Sequence, residues 1–111
     1  MEKRKFIFSF VLILLLTTTA LIIAESKHNY KPKEGYVPDE KTAIRIAVAV
    51  WIPIYGEKQI EGEKPYHAKL QKDKGIWTIE GSLPSGNVVG GVAEAEIAKD
   101  DGRILRVSHG K

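Results

Sequence analysis

Two carboxylates in the sequence have a spacing at which they could carry out acid/base chemistry. Glu94 and Glu96 stand two residues apart in a stretch that alternates apolar and polar residues, so on a strand their side chains lie side by side on one face. Carboxylates placed in this way can share a proton or act as acid and base. The alternative is a solvated sheet face whose charge is balanced by Arg106. We favour the solvated face, because the predicted strand register places Arg106 opposite Glu96.

The histidines and serines form no comparable group. His28, His67 and His109 follow one another at intervals of about 40 residues, without the close spacing of metal ligands. Ser108 and His109 are adjacent, but successive strand residues point to opposite faces and cannot form a catalytic pair. Gly90-Gly91 is better explained as a close approach of two backbones than as a phosphate site. Since no known nucleotide or nucleophile motif occurs, we predict no catalytic residue, metal or cofactor.

The larger aromatic side chains have two possible roles. Trp51, Tyr55, Tyr66 and Trp77 could line a ligand cavity between a helix and a sheet, or they could fill the core. We favour the core, because a domain of this size has little other apolar volume. Tyr55, beside Gly56, is the one expected to reach the surface.

Composition excludes several classes of protein. The chain contains no cysteine, so it has no disulfide framework, thiolate metal site or cysteine-linked lipid. Of its 17 basic and 14 acidic side chains, three basic and one acidic stand in residues 1–5, which leaves 14 against 13. Nucleic-acid binding requires a concentrated basic surface. We therefore predict no nucleic-acid partner.

The N-terminus has the pattern of an export signal. Lys3-Arg4-Lys5 precede an uncharged run from Phe6 to Ala24, which is typical of a secretory signal peptide or an N-terminal membrane anchor. Ala24 offers a small residue at a cleavage site, whereas Ile22 and the spanning length of the run favour retention. Both alternatives stay open. They predict export to the periplasm, cell envelope or exterior, or anchoring at the cytoplasmic membrane.

The remainder of the chain divides into a tether and one domain. Residues 1–24 form the export segment, and residues 25–35 are polar and contain Lys31-Pro32-Lys33 and Gly35. Such a composition predicts a flexible tether. Residues 36–111 are left as a single domain.

A helix is predicted at the start of this domain. Asp39 follows a proline and can accept a hydrogen bond from a free backbone N–H at the helix start. The run Thr42–Ile54 then places apolar residues at helical intervals. Pro53 is expected to end or bend the helix, with Tyr55-Gly56 as its exit.

The segment after Pro65 predicts a first antiparallel hairpin. Because a one-residue slip would turn the core face outward, its loop must contain an even number of residues. A loop of two, Lys74-Gly75, sets Leu70 opposite Ile79, and a loop of four, Lys72–Gly75, sets Leu70 opposite Trp77.

A second hairpin closes the chain. A three-residue loop, Asp100–Gly102, with a left-handed glycine and a bulge, pairs Glu96 with Arg106, Ala95 with Val107 and Ile97 with Leu105. The fold class that follows is α+β, with one main N-terminal helix packed on an antiparallel meander of about four strands.

Several short motifs together resemble a family of bacterial immunity proteins. These motifs are Gly35–Ile44, Ile52–Glu57, Gly90-Gly91 with Glu94–Ile97, Asp101–Leu105 and Ser108–Lys111. The resemblance covers about residues 35–111. It implies the nuclear transport factor 2-like fold, an α+β cone of the cystatin-like kind.

The resemblance also implies a function. A protein of this family protects its own cell by binding a cognate toxin of a polymorphic toxin system, without catalysis or a cofactor. We therefore expect a non-enzymatic immunity protein whose partner is a toxin met at or outside the cytoplasmic membrane. Membrane contact is expected only through residues 6–24, if they are uncleaved. The alternative is a general cell-envelope binding or inhibitory module without a toxin partner.

Five residues are candidates for partner binding. Aromatic and arginine side chains are the usual anchors of an interface, which points to Tyr55, Arg106 and His109, with Glu94 and Glu96 as polar companions. A hydrolase or isomerase with the same fold would require a buried carboxylate. We rank that class last, because Glu94 and Glu96, like the other strand glutamate, are predicted to face outward.

Overall fold

The domain is a helical layer on a four-stranded sheet. The computed structural model describes residues 28–84 and 90–110, and the described residues from Pro32 onward belong to one compact unit. The elements, in chain order, are α1 (Glu40–Tyr55), α2 (Glu57–Glu61), β1 (His67–Gln71), β2 (Ile76–Glu80), β3 (Ala93–Ala98) and β4 (Ile104–His109). The strands form one antiparallel sheet in the order β1-β2-β3-β4, and α1 packs on one face of it. The predicted α+β class is confirmed.

The export segment predicted at residues 1–24 lies outside the described residues. Among residues 28–84 and 90–110, no helix has the length and apolar character needed to cross a membrane. The compact unit begins at Pro32, within the predicted tether. Gly35 is buried there, and Tyr36 donates its backbone N–H to the Asp100 carbonyl at 2.9 Å.

Helix α1 begins where the sequence predicts. The Asp39 carboxylate accepts a hydrogen bond from the Thr42 backbone N–H at 2.8 Å, and its bonds to Thr42 lower the pKa of this carboxyl. Pro53 does not end the helix, which continues to Tyr55. The proline lies in the last turn of the helix, where it removes only one backbone hydrogen-bond donor and few residues follow it. Gly56, with φ +96°, then forms the predicted exit.

The first hairpin has the even loop that the sequence requires. Leu70 pairs with Trp77 and Gln71 with Ile76, so the loop is the four-residue alternative, Lys72–Gly75. This register keeps the inward-facing side chains of β1 and β2 on the α1 side of the sheet.

The second hairpin confirms most of the predicted register and corrects its loop. Glu96 pairs with Arg106 and Ala95 with Val107, but Ile97 pairs with Ile104 rather than Leu105.

Ala98 and Arg103 are hydrogen-bonded across a four-residue turn that contains Gly102 at φ +77°. The turn is one residue longer than predicted, which by itself would turn each side chain of β4 to the opposite face of the sheet. Leu105 is the extra residue of a bulge, and it returns the residues after it to the predicted faces.

Small and aromatic side chains share the core. Its buried members are Val37, Ala43, Ala47, Trp51, Ile60, Trp77, Ile79, Ala93, Ala95 and Ile97. The alanines let α1 approach the sheet closely, and both indoles are hydrogen-bonded: Trp51 to the Glu94 carbonyl at 3.1 Å and Trp77 to the Val37 carbonyl at 2.8 Å. The two tryptophans therefore fill the core, as favoured above.

Two glycines allow the ends of β3 and β4 to meet. A Cβ atom on Gly91 would overlap the backbone of Gly110. This is the close backbone approach that the Gly90-Gly91 pair predicts, and it places the end of β4 beside the start of β3.

Candidate functional site

Three of the five candidate residues form one cluster on the sheet face opposite α1. Arg106 Nε lies 3.0 Å from Glu96 Oε1, and its Nη2 lies 3.1 Å from Glu94 Oε2. Its Nη1 donates to Ser108 Oγ at 2.6 Å. The hydrogen bonds to Glu96 and Glu94 raise the pKa of the guanidinium. We call Glu94, Glu96, Arg106 and Ser108 the outer-face cluster.

The outer-face cluster presents fixed charges rather than an acid/base pair. One guanidinium lies against both carboxylates, so the two acids are bridged by a cation instead of by a shared proton. All of these side chains come from adjacent strands in a register that the core fixes. They remain partly exposed, with 42% of the Arg106 side chain and 39% of the Glu94 side chain accessible. The cluster can therefore contact a partner without moving.

Tyr55 and His109 lie on the other side of the sheet. Their ring centroids are 5.1 Å apart with the planes tilted by 55°. The structure thus divides the five candidates into two groups instead of bringing them together. The reason is parity: Arg106 and His109 are an odd number of residues apart on β4, so their side chains point to opposite faces.

A buried carboxylate that the sequence did not single out completes the second group. Glu63 stands between α2 and β1, and only 2% of the residue is exposed. It accepts hydrogen bonds from the Ala93 backbone N–H at 2.7 Å and from Gln59 Nε2 at 3.2 Å. His109 Nε2 lies 3.0 Å from Glu63 Oε2, the same oxygen that Gln59 contacts, while Ala93 donates to Oε1. Gly81 leaves room for it, since a Cβ there would come within 2.8 Å of Glu63 Oε1.

Both nitrogens of His109 face oxygen acceptors. Nδ1 lies 2.7 Å from the Gly110 carbonyl, and Nε2 faces the Glu63 carboxylate. A neutral imidazole has one N–H and can satisfy only one of them. The arrangement therefore fits the imidazolium form, and the contacts with the Gly110 carbonyl and with Glu63 raise the pKa of His109.

Glu63 is held as a carboxylate by its donors. Burial by itself raises its pKa and is the largest single influence. The hydrogen bonds from Ala93, His109 and Gln59 together outweigh it, so the pKa is lowered. Glu63 is the kind of buried carboxylate that a hydrolase or isomerase would need. However, its oxygens are already engaged by three protein donors, which is the arrangement of a structural anion.

An open cleft lies beside this second group. Tyr55, Gln59, Glu63 and Pro84 are among the residues that line it. Within the part of the chain that the structure describes, no three His, Asp or Glu side chains are placed to hold a metal ion.

The His109–Glu63 pair should make stability depend on pH. The folded pKa of His109 lies above its usual value of 6.5, so its contribution is complete below that value and is lost as pH rises through the folded pKa. The folded pKa of Glu63 lies below its usual 4.5, so its contribution is complete above that value and is lost as pH falls through the folded pKa. We expect the pair to stabilise the fold most between pH 4.5 and 6.5.

This pH dependence can be measured by urea unfolding of wild type and His109→Gln. The variant should lose about 1–2 kcal/mol within that window and show a flatter profile above it. His67→Gln, which changes an exposed histidine, is the matched control and should keep the wild-type profile. A His109→Gln profile parallel to that of wild type would contradict the assignment.

A small α+β domain with a polar outer sheet face and internally satisfied buried charges is consistent with a binding protein of the predicted kind. Residues 42–111 match the sequence model of the NTF2 fold immunity proteins. The chain therefore belongs to the NTF2 fold immunity protein family, which confirms the fold and the family that the sequence motifs imply.

Two relatives come from Escherichia coli (strain K12). The uncharacterized protein YhhH is 32% identical over 112 residues, an alignment that covers 91% of this chain and 87% of that protein. The uncharacterized protein YbbC is 37% identical over 75 residues, which cover 68% of this chain and 60% of that protein. No solved structure matches the chain significantly.

Proposed function

We propose that this protein binds a cognate bacterial toxin and neutralises it by occupying the toxin surface, without chemistry of its own. Membership of an immunity protein family supports a toxin partner. The observation that carries the proposal is the outer-face cluster, where Arg106 is held between Glu94 and Glu96 and all three side chains reach solvent. A prearranged arginine of this kind is a frequent anchor in protein interfaces.

The arrangement favours binding over catalysis for a physical reason. Arg106 is already oriented by two carboxylates and a hydroxyl, so little side-chain entropy is lost when a partner contacts it. The bridged carboxylates, in turn, offer acceptors for the partner. The buried carboxylate, Glu63, is directed at donors of its own chain.

We further propose that the toxin is met at or outside the cytoplasmic membrane. The basic residues before the uncharged run Phe6–Ala24 support this location. A protein placed there would protect against toxins that act on the envelope or are in transit. Fractionation of cells that express a C-terminally tagged chain tests the location, and recovery in the cytosolic fraction would refute it.

The toxin proposal is tested by rescue of poisoned cells. Expression of the full chain should restore growth to cells that produce a toxin encoded beside its gene, and Arg106→Ala should weaken rescue about tenfold or more. Arg45→Ala, which removes an exposed arginine from α1, is the matched control and should rescue like wild type.

Two outcomes would count against this assignment. Absence of rescue and of copurification with any neighbouring toxin would favour the alternative, a general cell-envelope module. Full rescue by Arg106→Ala would remove the outer-face cluster from the interface. Circular dichroism should show that Arg106→Ala remains folded, because the residue lies outside the core.

A further inference from the structure

The sheet has two edge strands that differ in their capacity to accept another strand. β1 and β4 are the outer members of the order β1-β2-β3-β4. β4 contains the bulge at Leu105, and a bulge disturbs regular pairing along a strand. β1 pairs with β2 without interruption from His67 to Gln71, and no other strand of the described residues pairs with its outer edge, so that edge is regular.

A group of lysines without a carboxylate at ion-pair distance lies on the β1 hairpin and just before it. Lys64, Lys69, Lys72 and Lys74 are all exposed, and no carboxylate of the described residues lies within ion-pair distance of them. Lys33, Lys41, Arg45 and Lys58 also have no such ion pair among the described residues, whereas Lys99, Arg103 and Arg106 each lie against a carboxylate. Residues 64–80 contain these four lysines and two acidic side chains, Asp73 and Glu80, an excess of two positive charges, whereas the described residues as a whole contain 12 basic and 12 acidic side chains.

We propose that an extended acidic segment of the cognate toxin binds along β1 as a fifth strand of the sheet. This inference rests on the proposed toxin-binding function and names the surface and the kind of segment involved. The free backbone groups of β1 supply the main-chain hydrogen bonds of strand addition. Carboxylates on the outer face of the added strand would then lie beside His67 and Lys69, next to a groove that Gln71, Thr78 and Glu80 also line.

Lys69 disfavours the commonest competing occupant, which is a second copy of this chain. Two β1 strands paired with each other would bring Lys69 close to Lys69 of the other copy, and like charges across a strand pair are destabilising. Lysines on edge strands are a known means of preventing such self-association. An acidic strand converts that repulsion into attraction, so the edge is selective for it.

Charge reversal in the full chain tests the surface. Lys69→Glu combined with Lys72→Glu should reduce rescue of toxin-poisoned cells about tenfold or more, with an unchanged unfolding midpoint because both side chains are exposed. The matched control combines Lys41→Glu with Lys58→Glu, two exposed lysines on α1 and α2, and should rescue like wild type.

The outcomes separate this inference from the function on which it rests. If wild type rescues and the β1 double variant rescues equally well, the inference fails and the toxin-binding function stands. If wild type does not rescue, both fail. Equal loss in the β1 variant and in the control would also overturn the inference, because it would reduce the effect to net charge.

Photo-crosslinking identifies what lies beside β1. A benzoylphenylalanine replacing His67 should crosslink to the toxin, and mass spectrometry should place the bond in a segment rich in Asp and Glu. The same group replacing Arg45 on α1 is the control and should give little product. Crosslinks from position 67 to lipid or nucleic acid alone, or to a toxin segment without acidic residues, would overturn the inference.

Discussion

Trp51→Ala is expected to leave the domain unfolded at room temperature. Trp51 is completely buried, its ring centroid lies 5.9 Å from that of Tyr66, and its indole N–H donates to the Glu94 carbonyl. Removing a buried tryptophan costs about 3–5 kcal/mol, and a domain this small has little more stability than about 5 kcal/mol to lose. Far-UV circular dichroism and urea unfolding measure the effect directly.

Trp51→Phe separates the two contributions of this residue. It keeps most of the apolar volume but removes the donor to Glu94, so a loss of about 1–2 kcal/mol is expected with the fold retained. Since that hydrogen bond links α1 to the strand that carries Glu94, the variant should also weaken rescue in the toxin assay. An unfolding midpoint for Trp51→Ala equal to that of wild type would contradict the buried, hydrogen-bonded position of Trp51 between α1 and the sheet.

The second large effect is expected for Glu63→Ala. This change leaves the Ala93 N–H and the His109 imidazolium without their acceptor inside the protein. Removing one partner of a buried ion pair costs about 3–5 kcal/mol. The loss should be greatest between pH 4.5 and 6.5, where both partners are charged, and urea unfolding across pH measures it.

Two further variants show whether charge or shape accounts for the loss. Glu63→Gln keeps an acceptor for Ala93 but removes the charge, so it should cost less than Glu63→Ala and abolish the pH dependence of the pair. Glu61→Ala changes an exposed glutamate two residues away and should shift stability by no more than about 0.5 kcal/mol. Glu63→Ala with the stability of Glu61→Ala would show that the buried pair does not hold these elements together.

The two groups of candidate residues have different consequences for function. The outer-face cluster offers exposed, prearranged charges, and its loss should affect binding more than folding. The Tyr55–His109–Glu63 group joins α1, the segment before β1 and the end of β4, and its loss should affect folding first. The partner-binding role predicted for Tyr55 and His109 stays a prediction, and a rescue assay on folded variants is the way to test it.

Local rules in the sequence determined much of this protein. Asp39 starts α1 because its carboxylate needs only a backbone N–H three residues away. Alternation along β3 and β4 places Glu96 opposite Arg106, because a slip of one residue would turn the core outward. Strand alternation also places the side chains of Arg106 and His109 on opposite faces of the sheet, a consequence that was not applied when both were chosen as partner-binding candidates.

The tertiary structure decided what depends on distant contacts. Glu63 stands 46 residues before His109, in a short connection with no periodicity, and only the docking of the helices on the sheet buries it against β3 and β4. The position of the bulge at Leu105 likewise follows from a turn one residue longer than predicted. Hydrogen bonds within a few residues and strand parity can be read from local sequence, whereas the burial of a single charge depends on every element that surrounds it.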